Sequence, residues 1–114
     1  MELRIGECDG DVSRIALVGI LDLIAVGQIE TRLMAATVAH GRHAIIDLSE
    51  LTFIASLGMG VLVTAHKGLK RKGARLVLLN PQADVEAALV AARLHGILPI
   101  VRGEAEALQY LAAD

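Results

Sequence analysis

Aromatic side chains are almost absent from this sequence, as are several other features that would point to particular functions. Its 114 residues include one Phe, one Tyr and no Trp, so the core must be built from Leu, Ile, Val and Ala. Cysteine occurs once, at Cys8, which rules out an intrachain disulfide or a cysteine metal site within one chain. No apolar run reaches membrane-spanning length, and no apolar signal segment follows the first residues. We therefore expect a cytoplasmic protein with no membrane partner.

The sequence also lacks an excess of either positive or negative charge. The formal net charge is -2, from 11 basic and 13 acidic residues, and this balance gives no electrostatic reason to expect nucleic acid as a partner. The basic segment from Lys67 to Arg75 is explained by a helix end and a solvated turn. The four histidines do not fall at metal-ligand spacing and have no acidic partner close in sequence. We expect them to be solvated or capping, and we expect no metal and no cofactor; they are His40, His43, His66 and His95.

The periodicity of apolar residues predicts a single α/β domain over residues 1–114, with elements in the order ββαβαβαβα. The predicted strands are Leu3–Cys8, Val12–Leu21, Ala44–Leu48, Arg75–Leu79 and Ile97–Val101. The predicted helices are Val26–His40, a helix that starts at Ser56 and runs through residues 58–72, one from Asn80-Pro81 to Gly96, and Glu104–Leu111. We expect a mixed, mostly parallel sheet of about five strands, with helices packed mainly on one face. Ala44–Leu48 should lie near its centre and the strand with Pro99 at an edge.

The stretch from Ala44 to Lys72 is the part of the chain that looks built to present a chemical group. It predicts a strand, a turn, and a helix whose core stripe would be Gly58, Val61, Leu62, Ala65 and Leu69. Ser56 stands at the start of this helix, next to unpaired backbone N–H groups and the positive end of the helix dipole. Small neighbours leave its hydroxyl open. Serine is also a preferred N-cap, and on local spacing alone this structural role is the better interpretation.

Other chemistry has little support. Gly58-Met59-Gly60 lacks the remainder of a phosphate-binding loop, and no Ser/His/Asp arrangement follows from spacing, so we do not predict an enzyme. A second stripe on the helix after Ser56 contains Met59 and Val63. These two side chains could form a small docking patch, or they could pack beneath a neighbouring loop or helix. The sequence leaves both alternatives open.

Taken together, these segments resemble the STAS domain family of bacterial anti-sigma factor antagonists over nearly the whole chain. The resemblance lies in Gly19-Ile20-Leu21-Asp22, Asp47–Ile54, Ala55–Leu62, Gly73-Ala74-Arg75-Leu76 and Asn80-Pro81. It implies a partner-switching regulator of transcription that binds an anti-sigma factor, which is also a serine kinase. Ser56 matches the phosphoacceptor, and a phosphatase would be a further partner. The partner-binding residues implied are Asp22, Ser56, Leu57, Gly58, Met59, Gly60 and Val63, in a monomer or weak dimer.

The chain departs from the family's usual pattern on both sides of Ser56. Ala55 stands where the family has Asp, and Leu57 stands where it has Ser or Thr. These departures keep a second interpretation open, a STAS scaffold or accessory subunit of a signalling or lipid-transport complex in which Ser56 is only a cap. A third interpretation is a small nucleotide-binding or phosphate-handling protein that uses the Ser56–Gly60 turn.

Overall fold

Alternation of apolar and polar residues produces the strands, and three- to four-residue spacing produces the helices. A computed structural model describes residues 1–6, 10 and 12–113. The strands are β1 (Glu2–Ile5), β2 (Val12–Leu21), β3 (His43–Asp47), β4 (Leu51–Ile54), β5 (Leu76–Leu79) and β6 (Ile100–Val101). The helices are α1 (Leu23–Ala36), α2 (Ser56–Arg71), α3 (Ala83–Ala91) and α4 (Glu104–Ala112). The α/β architecture predicted from the sequence is confirmed.

The described residues form one sheet of six strands in the order β1-β2-β3-β5-β6, with β4 paired to β2 off this path. Strands β1 and β2 are antiparallel, and every other pairing is parallel. β4 was not among the strands predicted from the sequence, which indicated only a turn between β3 and α2. β3 lies in the middle and β6 at an edge, as expected, but β6 is shorter than the predicted Ile97–Val101 and does not include Pro99. The carbonyl of Pro99 accepts a hydrogen bond from the Leu78 N–H at 2.8 Å.

Two apolar clusters cover the two faces of the sheet. The larger one combines strand residues such as Leu17, Ile46 and Leu78 with the inner faces of α1, α2 and α3. The smaller one packs Ala107 and Leu111 of α4 against the opposite face. Three helices on one face and one on the other agree with the expectation of helices mainly on one side. All of the larger buried side chains are aliphatic, as the scarcity of aromatic residues requires.

The boundaries of α1 differ from the sequence prediction of Val26–His40. The helix begins three residues earlier because the Asp22 carboxylate caps it and accepts the Ala25 N–H at 2.9 Å. It ends at Ala36 because the backbone of Thr37 leaves the helical region. Gly41, which was predicted as the C-terminal cap, lies after a further turn instead and has a φ of +65°.

Helix α3 was also predicted too long at both ends. It starts at Ala83 after Gln82, because Asn80 adopts a left-handed conformation with φ of +50° and cannot enter a helix directly. It stops at Ala91, before Arg93 with φ of +60°. β1 ends at Ile5, short of the predicted Cys8. Cys8 and most of the predicted turn that follows it lie outside the described residues.

Candidate functional site

The site predicted around Ser56 forms where two adjacent parallel strands end together. Leu21 at the end of β2 pairs with Ile54 at the end of β4, and the Ala55 N–H donates to the Leu21 carbonyl at 2.9 Å. Helix α1 begins at Leu23, just after β2, and helix α2 begins at Ser56, just after β4. The N-terminal ends of these two helices therefore lie side by side at one end of the sheet.

Ser56 is exposed and is the first residue of α2, not its cap. The N-cap is Ala55, which has extended backbone angles and a side chain that makes no capping hydrogen bond. The Ser56 hydroxyl has no hydrogen-bond partner among residues 1–6, 10 and 12–113. The expectation that Ser56 acts as a helix cap is therefore wrong, because the helix starts one residue earlier than a capping serine requires. The hydroxyl remains free for another role.

The two glycines that follow Ser56 have different environments. Gly58 is buried, and a Cβ on it would lie 2.8 Å from Leu21 Cγ and 3.1 Å from Ile54 Cγ1. A hydrogen at this position thus allows α2 to approach β2 and β4 closely. Gly60 is exposed, and a Cβ there would meet no described atom within 4 Å. Of the two, Gly60 is the one that lies on the surface a partner could touch.

Met59 and Val63, the predicted docking pair, are half-buried and pack against the larger core cluster. This packing was one of the two alternatives that the sequence left open, and it uses much of their surface. Asp22 is exposed, and its carboxylate is occupied by the cap of α1. Leu57 projects more than half of its side chain into solvent. The predicted partner-binding residues thus lie at the same end of the sheet but differ in exposure.

Of the most exposed apolar side chains around Ser56, only Leu57 was among the predicted partner-binding residues. We call them the apolar rim; they are between 50% and 73% exposed and comprise Ile20, Leu23, Ile24, Phe53 and Leu57. Ile20 and Phe53 are paired across β2 and β4. A usable signal was present, because Leu23–Val26 is a run of four apolar residues and only one face of a helix can turn inward. Large exposed apolar patches mark interaction surfaces more often than isolated residues do.

The N-terminus of α2 favours an added negative charge on the free protein. Over the part of the chain that the structure describes, the first turns of α1 and α2 contain no acidic side chain. The N-terminal N–H groups of α2 and the positive end of its dipole therefore point toward the region of Ser56 with no acidic residue of the same turn beside them. An anion carried by Ser56 would be stabilised there.

The histidines take several roles. Nδ1 of His43 accepts the backbone N–H of Arg75 at 2.9 Å, which fits the predicted capping role, and His40 and His95 are exposed. His66 differs from the prediction, since it is half-buried and its Nδ1 is buried without a hydrogen-bond partner in the described structure. Across the described ranges, no three His, Cys, Asp or Glu side chains are grouped as metal ligands would be. No helix in the described part of the chain has the length and hydrophobicity to cross a membrane.

Comparison with known proteins gives the same family as the motifs. The family model described as the STAS domain matches residues 7–107. The chain belongs to the STAS domain family. A curated protein, the anti-sigma-B factor antagonist of Listeria monocytogenes, is 32% identical to this chain over 80 residues, which cover 70% of each sequence. This level of identity over that length agrees with the family assignment.

Solved structures of STAS relatives match the whole fold. The anti-sigma factor antagonist SpoIIAA in its unphosphorylated form aligns with a TM-score of 0.78 and 25% identity, covering 96% of this chain and 95% of that one. SpoIIAA from Bacillus in its phosphorylated form aligns with a TM-score of 0.71 and 24% identity, covering 96% and 98%. The similarity supports the STAS fold for this chain from β1 to α4.

Proposed function

We propose that this STAS domain is an anti-sigma factor antagonist controlled by phosphorylation of Ser56. In this proposal it acts in the cytoplasm as a regulator and not as an enzyme. It binds an anti-sigma factor that is also a serine kinase, and a phosphatase reverses the modification. The observation that carries the proposal is the free, exposed Ser56 hydroxyl next to the apolar rim. The names of the relatives supply the class of partner.

The proposed interface uses the apolar rim for affinity. The rim side chains Leu23, Ile24 and Leu57 lie in the first turns of the two helices that begin beside each other. Covering such side chains removes apolar surface from water, at about 25 cal/mol for each Å² buried. Of the residues implied by the resemblance, Leu57 and Gly60 would add contacts directly. Gly58, Met59 and Val63 would act mainly by holding α2 in position.

The proposed switch follows from the position of Ser56 between helix dipole and apolar surface. A phosphate adds about -1.5 to -2 charges at neutral pH. On the free protein, the N-terminal N–H groups of α2 would stabilise this charge. In a complex, the same charge would have to be desolvated against a partner that covers the rim, which is costly. Phosphorylation would therefore release the partner without unfolding the domain.

The experiment is a titration of the chain against each serine-kinase anti-sigma factor of its source organism. Wild type and Ser56→Ala should bind alike, whereas Ser56→Asp should bind about tenfold or more weakly, because a carboxylate is desolvated. Incubation with kinase, Mg²⁺ and ATP should add one phosphate to wild type and none to Ser56→Ala, as measured by mass spectrometry. Equal affinity of wild type and Ser56→Asp would disprove the switch.

A second candidate function is constitutive binding as a scaffold or accessory subunit. Leu57 favours it, because an exposed apolar side chain stands where the family usually has a hydroxyl. In this case the same surface would bind a partner, but kinase treatment would leave Ser56 unmodified. The titration and the mass measurement together distinguish the two functions.

A further inference from the structure

The end of the domain opposite Ser56 is rich in basic side chains. Ser56 begins α2 and Arg71 ends it, which separates the two by about 22 Å at 1.5 Å per residue. Around that far end lie Arg42, Lys67, Lys70, Arg71, Lys72 and Arg75. Within the described ranges, none of these six forms an ion pair. This local excess of positive charge contrasts with the net charge of -2 for the chain.

A cavity of about 490 Å³ opens at this end, between the last turns of α2, the start of β5 and α4. Its charged and polar lining comes from His66, Lys70 and Arg75, and its apolar walls include Ile97 and Tyr110. The volume lies within the range of small-molecule sites, about 300–1,000 Å³. Residues that line it carry no carboxylate in the described structure. The cavity therefore suits a ligand that has an anionic group and an apolar body.

Arg75 is held in place before any ligand arrives. Its guanidinium donates to the Tyr110 carbonyl at 2.8 Å and lies over the Tyr110 ring, 5.5 Å from the centroid. Guanidinium has five N–H donors, so several remain for a further acceptor. A side chain already fixed in position loses less conformational entropy on binding. The Lys70 side chain, in contrast, is exposed and makes no hydrogen bond to the described residues.

His66 supplies an independent observation at the same cavity. Its Nδ1 is buried and has no partner in the part of the chain described, which is costly unless a ligand or water satisfies it. Burial, and then the charges of Lys70 and Lys67, lower the pKa of His66 below its usual value. An anion in the cavity would offset those lysine charges. Bound anion should therefore raise the pKa of His66.

We propose that this cavity binds a small organic phosphate, with the phosphate against Lys70 and Arg75 and the apolar body against Ile97 and Tyr110. Two cations, Lys70 in the last turn of α2 and Arg75 just before β5, match a doubly charged group better than a singly charged one. The site is separate from Ser56 and would let the domain respond to a metabolite. It does not depend on the proposed anti-sigma function.

The test is a heteronuclear NMR titration of the full chain with phenyl phosphate, a probe that has both a phosphate group and an apolar body. Binding should saturate. A pH titration of the His66 imidazole resonances should give a higher pKa with phenyl phosphate bound than without it. Lys70→Gln should weaken binding by about tenfold, the effect of losing one charge-assisted hydrogen bond. Lys67→Gln, one turn away and not part of the cavity lining, is the matched control and should change affinity by less than about twofold, as a screened surface charge does. Ser56→Asp should bind as wild type does.

Three results would overturn the proposal. The first is that phenyl phosphate causes no saturable shift at millimolar concentration. The second is that inorganic phosphate binds as tightly as phenyl phosphate, since the apolar walls would then contribute nothing. The third is equal weakening by Lys67→Gln and Lys70→Gln, which would indicate a general basic surface. Because the Lys70 side chain makes no hydrogen bond to described residues, its variant should fold normally and the comparison stays interpretable.

Discussion

A Cβ placed on Gly58 would lie 2.8 Å from Cγ of Leu21, closer than real Cβ atoms approach a neighbour. Leu21 is fully buried and ends β2, so it has little room to move. This contact fixes how close α2 sits to the strands beside Ser56. The candidate site therefore depends on the absence of a side chain at Gly58.

Gly58→Ala should lower the free energy of unfolding by about 1–3 kcal/mol, the usual cost of overpacking a core. Gly60→Ala is the matched control in the same helix turn. Because its Cβ would meet no described atom within 4 Å, it should raise stability by about 0.5–1 kcal/mol. Urea denaturation measures both. If the two variants behave alike, the close packing at Leu21 is not what Gly58 provides.

Ser56→Ala should change the free energy of unfolding by less than about 0.5 kcal/mol, since the hydroxyl makes no capping hydrogen bond. Asp22→Ala should cost about 1 kcal/mol, because Asp22 does cap α1. Thermal and urea denaturation of the two variants give the comparison. A loss of about 1 kcal/mol in Ser56→Ala would mean that Ser56 caps α2 after all.

Ala55→Asp should stabilise the domain by about 1 kcal/mol, because it places a capping carboxylate at the N-cap of α2. The change also restores one residue of the family's usual pattern, so with Leu57→Ser it should raise the rate of Ser56 phosphorylation if those groups assist the kinase. Calorimetry measures the first effect and mass spectrometry the second. Ala113→Asp, at the exposed C-terminal end of α4, should not stabilise and serves as the control.

Ile24→Asp should weaken partner binding by about tenfold or more, because it places a charge in the exposed apolar rim that the partner is proposed to cover. Val90→Asp is the matched control, an exposed apolar residue in the last turn of α3 that is not part of the apolar rim. Affinity is measured by calorimetric titration after circular dichroism has shown that both variants are folded. Equal effects of the two substitutions would argue against the rim as the binding surface.

Stability should fall as the pH drops from about 7 through the ordinary histidine range near 6.5. The pKa of His66 is lowered in the folded state, chiefly by burial. The unfolded chain therefore binds the proton more readily, and lower pH stabilises it relative to the folded state. His66→Gln should flatten this part of the pH profile. Urea midpoints between pH 5 and 8 provide the measurement.

The sequence by itself determined which residues face the core within each element. The predicted stripe of α2, from Gly58 through Val61, Leu62 and Ala65 to Leu69, is the set found buried. The strand predicted over Val12–Leu21 has those bounds in the structure. Period-2 and period-3.6 patterns are local properties of the chain, so they can be extracted without knowledge of the fold. The same holds for the glycine, serine and aliphatic positions that identify the family.

The tertiary structure decided where those elements meet and what they leave uncovered. The hydrogen bond between Ala55 and Leu21, 34 positions apart, sets the helix starts side by side. It also determines that Ala55, and not Ser56, is the residue before the first turn. The apolar run Leu23–Val26 indicates that some of its side chains face outward, but whether Leu23 and Ile24 are covered depends on what packs beside that turn. Register between distant strands is fixed by the sum of many long-range contacts, so the exposed apolar rim emerged only once the strands were paired.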